Sequence, residues 1–194
     1  MKKNQSRIQL IDNYIKRINL SKKIESYFKK RNILVTGGAG AIGSNLVIAL
    51  SKLVGSEGKV IVLDNLSANN NNEPIGLPSL DNIMFIKGDI RNDIDLKRSF
   101  REKPSIVYHL AAFFANQNSV DYPETSADVD IKGIIKILDL SQFTKIERFV
   151  YASSGCSVYG SYGKMPLKED FISMHLTTPY QINKMAGEMY CNFY

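Results

Sequence analysis

Five short runs of consecutive apolar, often β-branched residues punctuate the chain. They are Asn32–Thr36 (NILVT), Lys59–Asp64 (KVIVLD), Asn82–Lys87 (NIMFIK), Ser105–Leu110 (SIVYHL) and Arg148–Ser153 (RFVYAS). Runs of this kind, rather than strict alternation, suit strands buried on both faces, as in a parallel sheet. Helical segments fill most of the gaps: Ala41–Val54 after the first run, Asp93–Glu102 after the third and Glu124–Gln142 after the fourth. The rhythm predicts an α/β fold, a doubly wound parallel sheet with helices on both faces. Ser67–Leu80, with its Asn run, two Pro and a Gly, reads as a loop.

The first 31 residues show another pattern. Ile8, Ile11, Ile15 and Ile18 recur at spacings of three and four, and Ile24 and Phe28 extend the series more loosely. This is one apolar stripe on a helix ringed by Lys and Arg. Ser21, before a Lys/Glu run, is placed to restart a second helix. Two readings stay open for this extension. It is a basic amphipathic helix for a membrane surface or an acidic partner, or a leader that packs on its own domain or a neighbouring subunit.

Composition narrows the class. The 194 residues suit one domain, and 44% hydrophobic against 23% charged content excludes a mainly disordered chain. No apolar stretch approaches the ~20 residues a membrane helix needs, and no signal-peptide core is visible at the polar N-terminus. Cys156 and Cys191 make neither a disulfide scaffold nor a zinc spacing, so a reducing, cytoplasmic setting is the expectation. The net charge of +6 would suggest a nucleic-acid partner. Residues 1–31, however, hold ten basic and two acidic residues, a net of +8, and residues 32–194 carry −2. The basic character belongs to the extension, and no nucleic-acid role is indicated for the rest.

The first strand runs into Thr36-Gly37-Gly38-Ala39-Gly40-Ala41-Ile42-Gly43-Ser44. Glycines at this spacing make a tight turn without side chains. Backbone N–H groups around Gly37, Gly40, Ala41, Ile42 and Gly43, at a helix N-terminus, then approach a pyrophosphate. A strand before it and an apolar helix after it are the context such a motif requires. Asp64 ends the second strand, 21 residues after Gly43. A carboxylate there accepts from ribose hydroxyls and repels a 2′-phosphate. Asn65-Leu66-Ser67 brings no basic residue, so the cofactor indicated is NAD rather than NADP.

Six pieces occur in an order that resembles the extended short-chain dehydrogenase/reductase superfamily, specifically its NAD-dependent nucleotide-sugar epimerases and dehydratases. They are Thr36–Ser44, Leu63–Ser67 (LDNLS), Gly88–Arg91 (GDIR), Tyr108–Ala112 (YHLAA), Ser153–Gly160 (SSGCSVYG) and Thr178–Lys184 (TPYQINK). The resemblance implies a Rossmann-type NAD-binding domain over 32–194. It also implies that Asp64 and Asn65, Asp89 and Ile90 serve the adenosine side, and Leu110, Ala111 and Ala112 lie against the cofactor. Tyr180 and Lys184 form a YxxxK pair on one helix face. A tyrosine with a pKa of about 10 is a poor base at neutral pH until a nearby ammonium favours its phenolate. The resemblance implies that Tyr180 moves the proton on a sugar hydroxyl while Lys184 also holds the nicotinamide ribose.

A third member, a hydroxyl, is expected to bond the reacting oxygen. The family's usual Ser or Thr falls on Gly155 when counted back from Val158, and on Ser154 when counted forward from the strand. Ser154 is the candidate for catalysis and substrate contact, with Ser153 and Ser157 behind it. Cys156 reads as a small buried residue. Asn116, in Phe113–Ser119, is a candidate substrate contact. Asp130 stands where the family's asparagine is usual. It either keeps the structural hydrogen bonds or weakens cofactor positioning. Two isolated histidines, His109 and His175, offer no metal site.

Members of the family continue beyond the YxxxK helix, so the resemblance implies that a C-terminal substrate domain is missing here. The function it implies is epimerisation of a UDP-hexose at C4 through a keto sugar. A 4,6-dehydratase or a decarboxylase is the alternative within the superfamily, and a non-catalytic NAD-binding module the alternative outside it. A homodimer through the YxxxK helix is expected.

Overall fold

The computed structural model describes residues 2–194 except 69–71, 75, 115, 156–158 and 161–164. Five strands form one parallel sheet: β1 (Asn32–Thr36), β2 (Lys59–Asp64), β3 (Ile83–Lys87), β4 (Ile106–His109) and β5 (Arg148–Tyr151). Their order is β3-β2-β1-β4-β5. β1 pairs with β2 from Asn32↔Lys59 to Thr36↔Leu63, and with β4 from Ile33↔Ile106 to Thr36↔His109. The winding direction reverses between β1 and β4. In open α/β sheets that reversal opens a ligand crevice at the strands' carboxyl ends.

Alternate side chains of each strand face opposite layers. Leu34, Ile61, Leu63 and Val107 meet Leu96 and Phe100 of α4 (Asp93–Phe100) and Ile134, Ile137 and Leu138 of α7 (Gly133–Phe143). Ile33, Val35, Val60, Val62 and Ile106 meet Val47, Leu50 and Val54 of α3 (Ala41–Val54) on the other side. Double coverage explains why the strands are apolar at successive positions. α8 (Pro179–Phe193) joins the α7 layer through Tyr190 and Cys191. The doubly wound arrangement expected from the apolar runs is the one found.

Three strands are shorter than their runs. The flanking residues still bond, since Leu110 N–H donates to Thr36 O and Ala152 N–H to His109 O. The single helix expected over Glu124–Gln142 is a composite. α6 (Pro123–Ala127) passes through a π turn at Asp128–Lys132 into α7. An extra residue in one turn rotates the facing of the turns after it, and Asp130 within it is buried. A further short helix, α5 (Asn116–Asp121), carries no apolar periodicity.

Two helices precede the sheet, α1 (Lys2–Ile18) and α2 (Lys22–Phe28). Ser21 caps α2, accepting from Ile24 N–H. α1 lies along α3 with Ile8, Ile11 and Ile15 half-buried. Ile18 and Ile24, counted in the same stripe, stay exposed. Tyr27 and Phe28 pack onto the α3-side core. Arg7 donates to Gly76 O, Ser44 Oγ and Asn45 Oδ1, each at 2.9 Å. Among the described residues no helix is long and apolar enough to cross a membrane.

Within the sheet, His109 is a titratable side chain buried outright, 1% exposed. Its Nδ1 meets Thr36 Oγ1 at 2.7 Å, and its ring stacks on Tyr151 with centroids 5.9 Å apart. Burial, then the Lys184 charge, push its pKa down to about 3. The unfolded chain protonates this ring near its ordinary 6.5, so unfolding takes up a proton below that pH. The stability contributed by the neutral ring is complete above 6.5 and is lost as the pH falls toward 3. Urea unfolding followed by circular dichroism is therefore expected to show stability falling between pH 6.5 and 4. The slope is shallower in His109→Gln, which keeps a polar partner for Thr36 and does not titrate.

Candidate active site

The crevice at the carboxyl ends of β1 and β4 is built around one tight turn. Gly37 comes after β1 with φ +68°, a conformation L side chains rarely adopt. A Cβ there would lie 2.7 Å from Ala111 N. Gly37 N–H donates to Leu63 O and Gly40 N–H to Gly37 O, so the turn closes on itself. Gly40 caps α3 with no side-chain bond, and the first helical bond is Ser44 N–H to Gly40 O. The amides of Ala41 and Ile42 thus open the helix facing outward, as an anion requires. Gly43 backs the turn: a Cβ would meet Gly37 O at 2.2 Å. A turn this free of side chains, at the sheet's reversal point, fits a dinucleotide pyrophosphate.

Asp64, ending β2, accepts from Ala39 N–H at 2.9 Å and from Leu66 N–H at 2.8 Å. It ties the glycine turn to the next loop. Asn65 donates to Asp89 at 3.0 Å. Asp89 is clamped by Arg91 through two guanidinium bonds of 2.9 and 2.7 Å, and these hold its pKa down at about 2. The Asp89 side chain is therefore engaged within the protein before any adenine arrives. Ile90 is 5% exposed and belongs to the core, packed on Gly133, so only its backbone faces outward. Ala111 N–H donates to Thr36 Oγ1, and Leu110 and Ala112 flank it at the turn.

α8 delivers the YxxxK pair. Thr178 caps it, accepting from Gln181 N–H, and Pro179 opens the first turn, where its missing N–H costs no bond. Ser119 Oγ of α5 accepts from Tyr180 N–H at 3.0 Å. The Tyr180 ring is half-buried, edge-on to Phe114 with centroids 6.2 Å apart. Lys184 is 3% exposed, and its Nζ donates to Ala152 O at 2.9 Å. The same Nζ lies 5.8 Å from the Tyr180 ring centroid and 4.8 Å from that of Tyr151. Burial lowers the Lys184 pKa and the Asp130 charge opposes it.

Thr178 Oγ1 donates to Asn116 Oδ1 at 3.3 Å, so Asn116 stands beside the start of α8. Ser153 is turned aside to Glu188, while Ser154, next in the chain, is half-buried. Cys156 and Ser157 lie outside the described residues. Asp130 keeps a structural bond, accepting from Phe113 N–H at 2.8 Å. Thr36, Ser119, Ser126 and Asn183 escape a reading of the sequence, yet their hydroxyls and amide knit these segments together. Arg7 shows in the sequence only as charge beside a stripe. None carries a periodicity or spacing signal.

Residues 33–194 match the NAD dependent epimerase/dehydratase family. The chain is 38% identical over 163 residues to a putative UDP-glucose 4-epimerase of Methanocaldococcus jannaschii, covering 84% of this chain and 50% of the relative. It is similar to the solved structure of an epimerase from Methanothermobacter thermautotrophicus, with 48% identity and a TM-score of 0.82, over 88% of this chain and 49% of the other. The UDP-glucose 4-epimerase of Thermus thermophilus, solved in complex with NAD, gives 33% identity and a TM-score of 0.70, over 84% and 50%. The chain thus spans about half the length of the relatives it matches.

The turn's geometry yields a contrast between two neighbouring glycines. Gly43→Ala drives a methyl into backbone, whereas a Cβ on Gly40 would meet only Gly37 O, at 3.3 Å. Thermal unfolding is expected to lower the Tm of the Gly43→Ala variant by several degrees, about 2 kcal/mol of overpacking. Gly40→Ala stays close to the unaltered chain.

Proposed function

The chain belongs to the NAD dependent epimerase/dehydratase family, and from that premise we propose that it carries the cofactor cleft and proton-transfer residues of a nucleotide-sugar epimerase of the UDP-hexose 4-epimerase type. The observation that carries this reading is that two assemblies stand at the carboxyl ends of one sheet's strands. The side-chain-free turn at Gly37–Gly43 closes against Ala111, and the buried Lys184 stands behind the half-exposed Tyr180. The named epimerases among its relatives support the sugar class.

In this reading the amides of Gly40, Ala41 and Ile42 receive the pyrophosphate, with Gly37 and Gly43 giving it room. Asp64 and Asn65 receive the adenosine ribose, and the backbone around Asp89 and Ile90 the adenine. Leu110, Ala111 and Ala112 form the wall beside it. Bound NAD supplies what side chains lack, reversible uptake of hydride from the sugar carbon, which converts a hydroxyl-bearing carbon to a ketone and back. Tyr180 Oη takes the hydroxyl proton and later returns it. The Lys184 ammonium favours the phenolate over the phenol and holds the nicotinamide ribose. Ser154 bonds the reacting oxygen, and Ser153 stands against Glu188. Asn116 contacts the sugar.

A partner and a setting accompany this. Ile182, Met189 and Phe193 expose an apolar stripe along α8, beside a shallow cavity of about 430 Å³ that Ala186, Met189, Tyr190 and Phe193 line. A second copy packed there makes the homodimer. The setting is cytoplasmic, with the free Cys191 kept reduced.

Calorimetry is expected to show NAD binding by this chain, unchanged in Tyr180→Phe. In the polypeptide as its cell makes it, Tyr180→Phe lowers UDP-hexose interconversion by roughly 10²-fold or more. NAD binding with turnover that Tyr180→Phe leaves intact would remove Tyr180 from the chemistry. A folded chain that does not bind NAD would overturn the whole reading.

A further inference from the structure

The π turn holds a buried carboxylate that the proton transfer above does not use. Asp130 is 3% exposed. Phe113 N–H donates to its Oδ1 at 2.8 Å, and Ser126 Oγ donates to its Oδ2 at 3.2 Å. Ser126 Oγ in turn accepts from Asn183 Nδ2 at 3.0 Å. An amide nitrogen only donates, so the hydroxyl proton of Ser126 is left to point on to Asp130. Both carboxylate oxygens then face donors, which is the pattern of an ionised group.

Asn183 immediately precedes Lys184, which is equally buried at 3% exposure. The bond from Lys184 Nζ to Ala152 O satisfies a donor and neutralises no charge. The groups around this ammonium come from four elements. His109 on β4 is neutral, Tyr151 on β5 and Tyr180 on α8 present rings, and Asp130 on the π turn presents a charge. Glu188, one turn along α8, is tied to Ser153.

We propose that Asp130 is a positioning residue whose buried negative charge keeps Lys184 an ammonium, and so sets the pH range in which Tyr180 and Lys184 move a proton. The proposal rests on the roles given to Tyr180 and Lys184 above. Burial pushes Lys184 down and Asp130 pushes it back up; burial pushes Asp130 above the carboxylate range, and the Phe113 N–H, Lys184 and Ser126 pull it back. Two such groups titrate as a pair, each step felt by the other. An uncharged amide at position 130 would keep the Phe113 bond and remove the charge.

Lysine side-chain NMR reads this without NAD or sugar, with the Lys184 resonance assigned by its loss in Lys184→Arg. In the unaltered protein that resonance is expected to show an acidic inflection as Asp130 protonates. In Asp130→Asn the inflection disappears and the Lys184 midpoint falls by about one pH unit, while Asp130→Glu brings it back up. A missing inflection in the unaltered protein overturns the proposal and needs no variant to fold. So does an unchanged Lys184 midpoint in Asp130→Asn, or an equal shift in the Asn and Glu variants, which marks a structural role alone. The epimerase reading stands or falls separately, on turnover in Tyr180→Phe.

Discussion

The rest of the molecule depends on how closely β1 and β4 approach where the chain turns away from β1. Gly37 sits against the Ala111 backbone with no space for a Cβ. Thr36, just before it, receives the Ala111 N–H and meets His109 Nδ1. The two strands are thus stitched beyond their last ladder bond. Any side chain at Gly37 would force them apart and open the crevice floor. Asp64 extends the same stitching to β2 by holding Ala39 N–H. The turn that would face a pyrophosphate is therefore held by neighbouring strands rather than by its own sequence alone, which is how a glycine-rich segment stays ordered despite its entropy.

The second half of the site is held differently. α8 is placed by polar side chains from the α5–α6 region, through Ser119 to Tyr180 N–H and Ser126 to Asn183. Such bonds contribute little net free energy each, but leaving one partner buried and unsatisfied costs about 1–3 kcal/mol. They therefore specify register more than they add stability. The π turn belongs to this logic. Asp130, within it, is reached by both Phe113 N–H and Ser126. Through Ser126, which also meets Asn183, the loop after β4 and the helix bearing Tyr180 share one anchor.

This division decides what can be read from residues alone. The strands are legible because burial on both faces leaves a mark at every position, as in Ile33-Leu34-Val35. The turn is legible because glycine spacing reports backbone geometry directly, and the Tyr180–Lys184 pair because four residues return a helix to the same face. The polar network leaves no such mark. Ser119, Ser126 and Asn183 are residues that surface loops use freely, and only burial distinguishes them. α5 is not legible because NQNSVD carries no stripe. Its formation comes from packing against α8 rather than from propensity. Asp130 is visible as a departure from a pattern, but its donors come from one helical turn and from 17 residues away, and no single local spacing connects all three.

The basic extension shows the same limit from the side of charge. Its net of +8 invites a reading as a surface that seeks an acidic partner. Several of its charges already have partners within the chain. Arg7 is held by Gly76, Ser44 and Asn45, Arg31 by Glu147 at 2.6 Å, and Lys30 by Glu57 at 2.8 Å. The exposed ion pairs among these are worth well under about 1 kcal/mol each, so they orient the helices more than they fasten them. The Arg7 contacts differ in kind. They join α1 to the first turn of α3 and to the loop after β2, the two segments that flank the Asp64 side of the crevice. A segment that lies outside the matched family region is therefore bonded to the helix that opens toward the cofactor. α1 lies against α3, with Ile8, Ile11 and Ile15 half-buried. The stripe that resembles a docking face is in large part an internal contact, and its exposed remainder is Ile18 and Ile24.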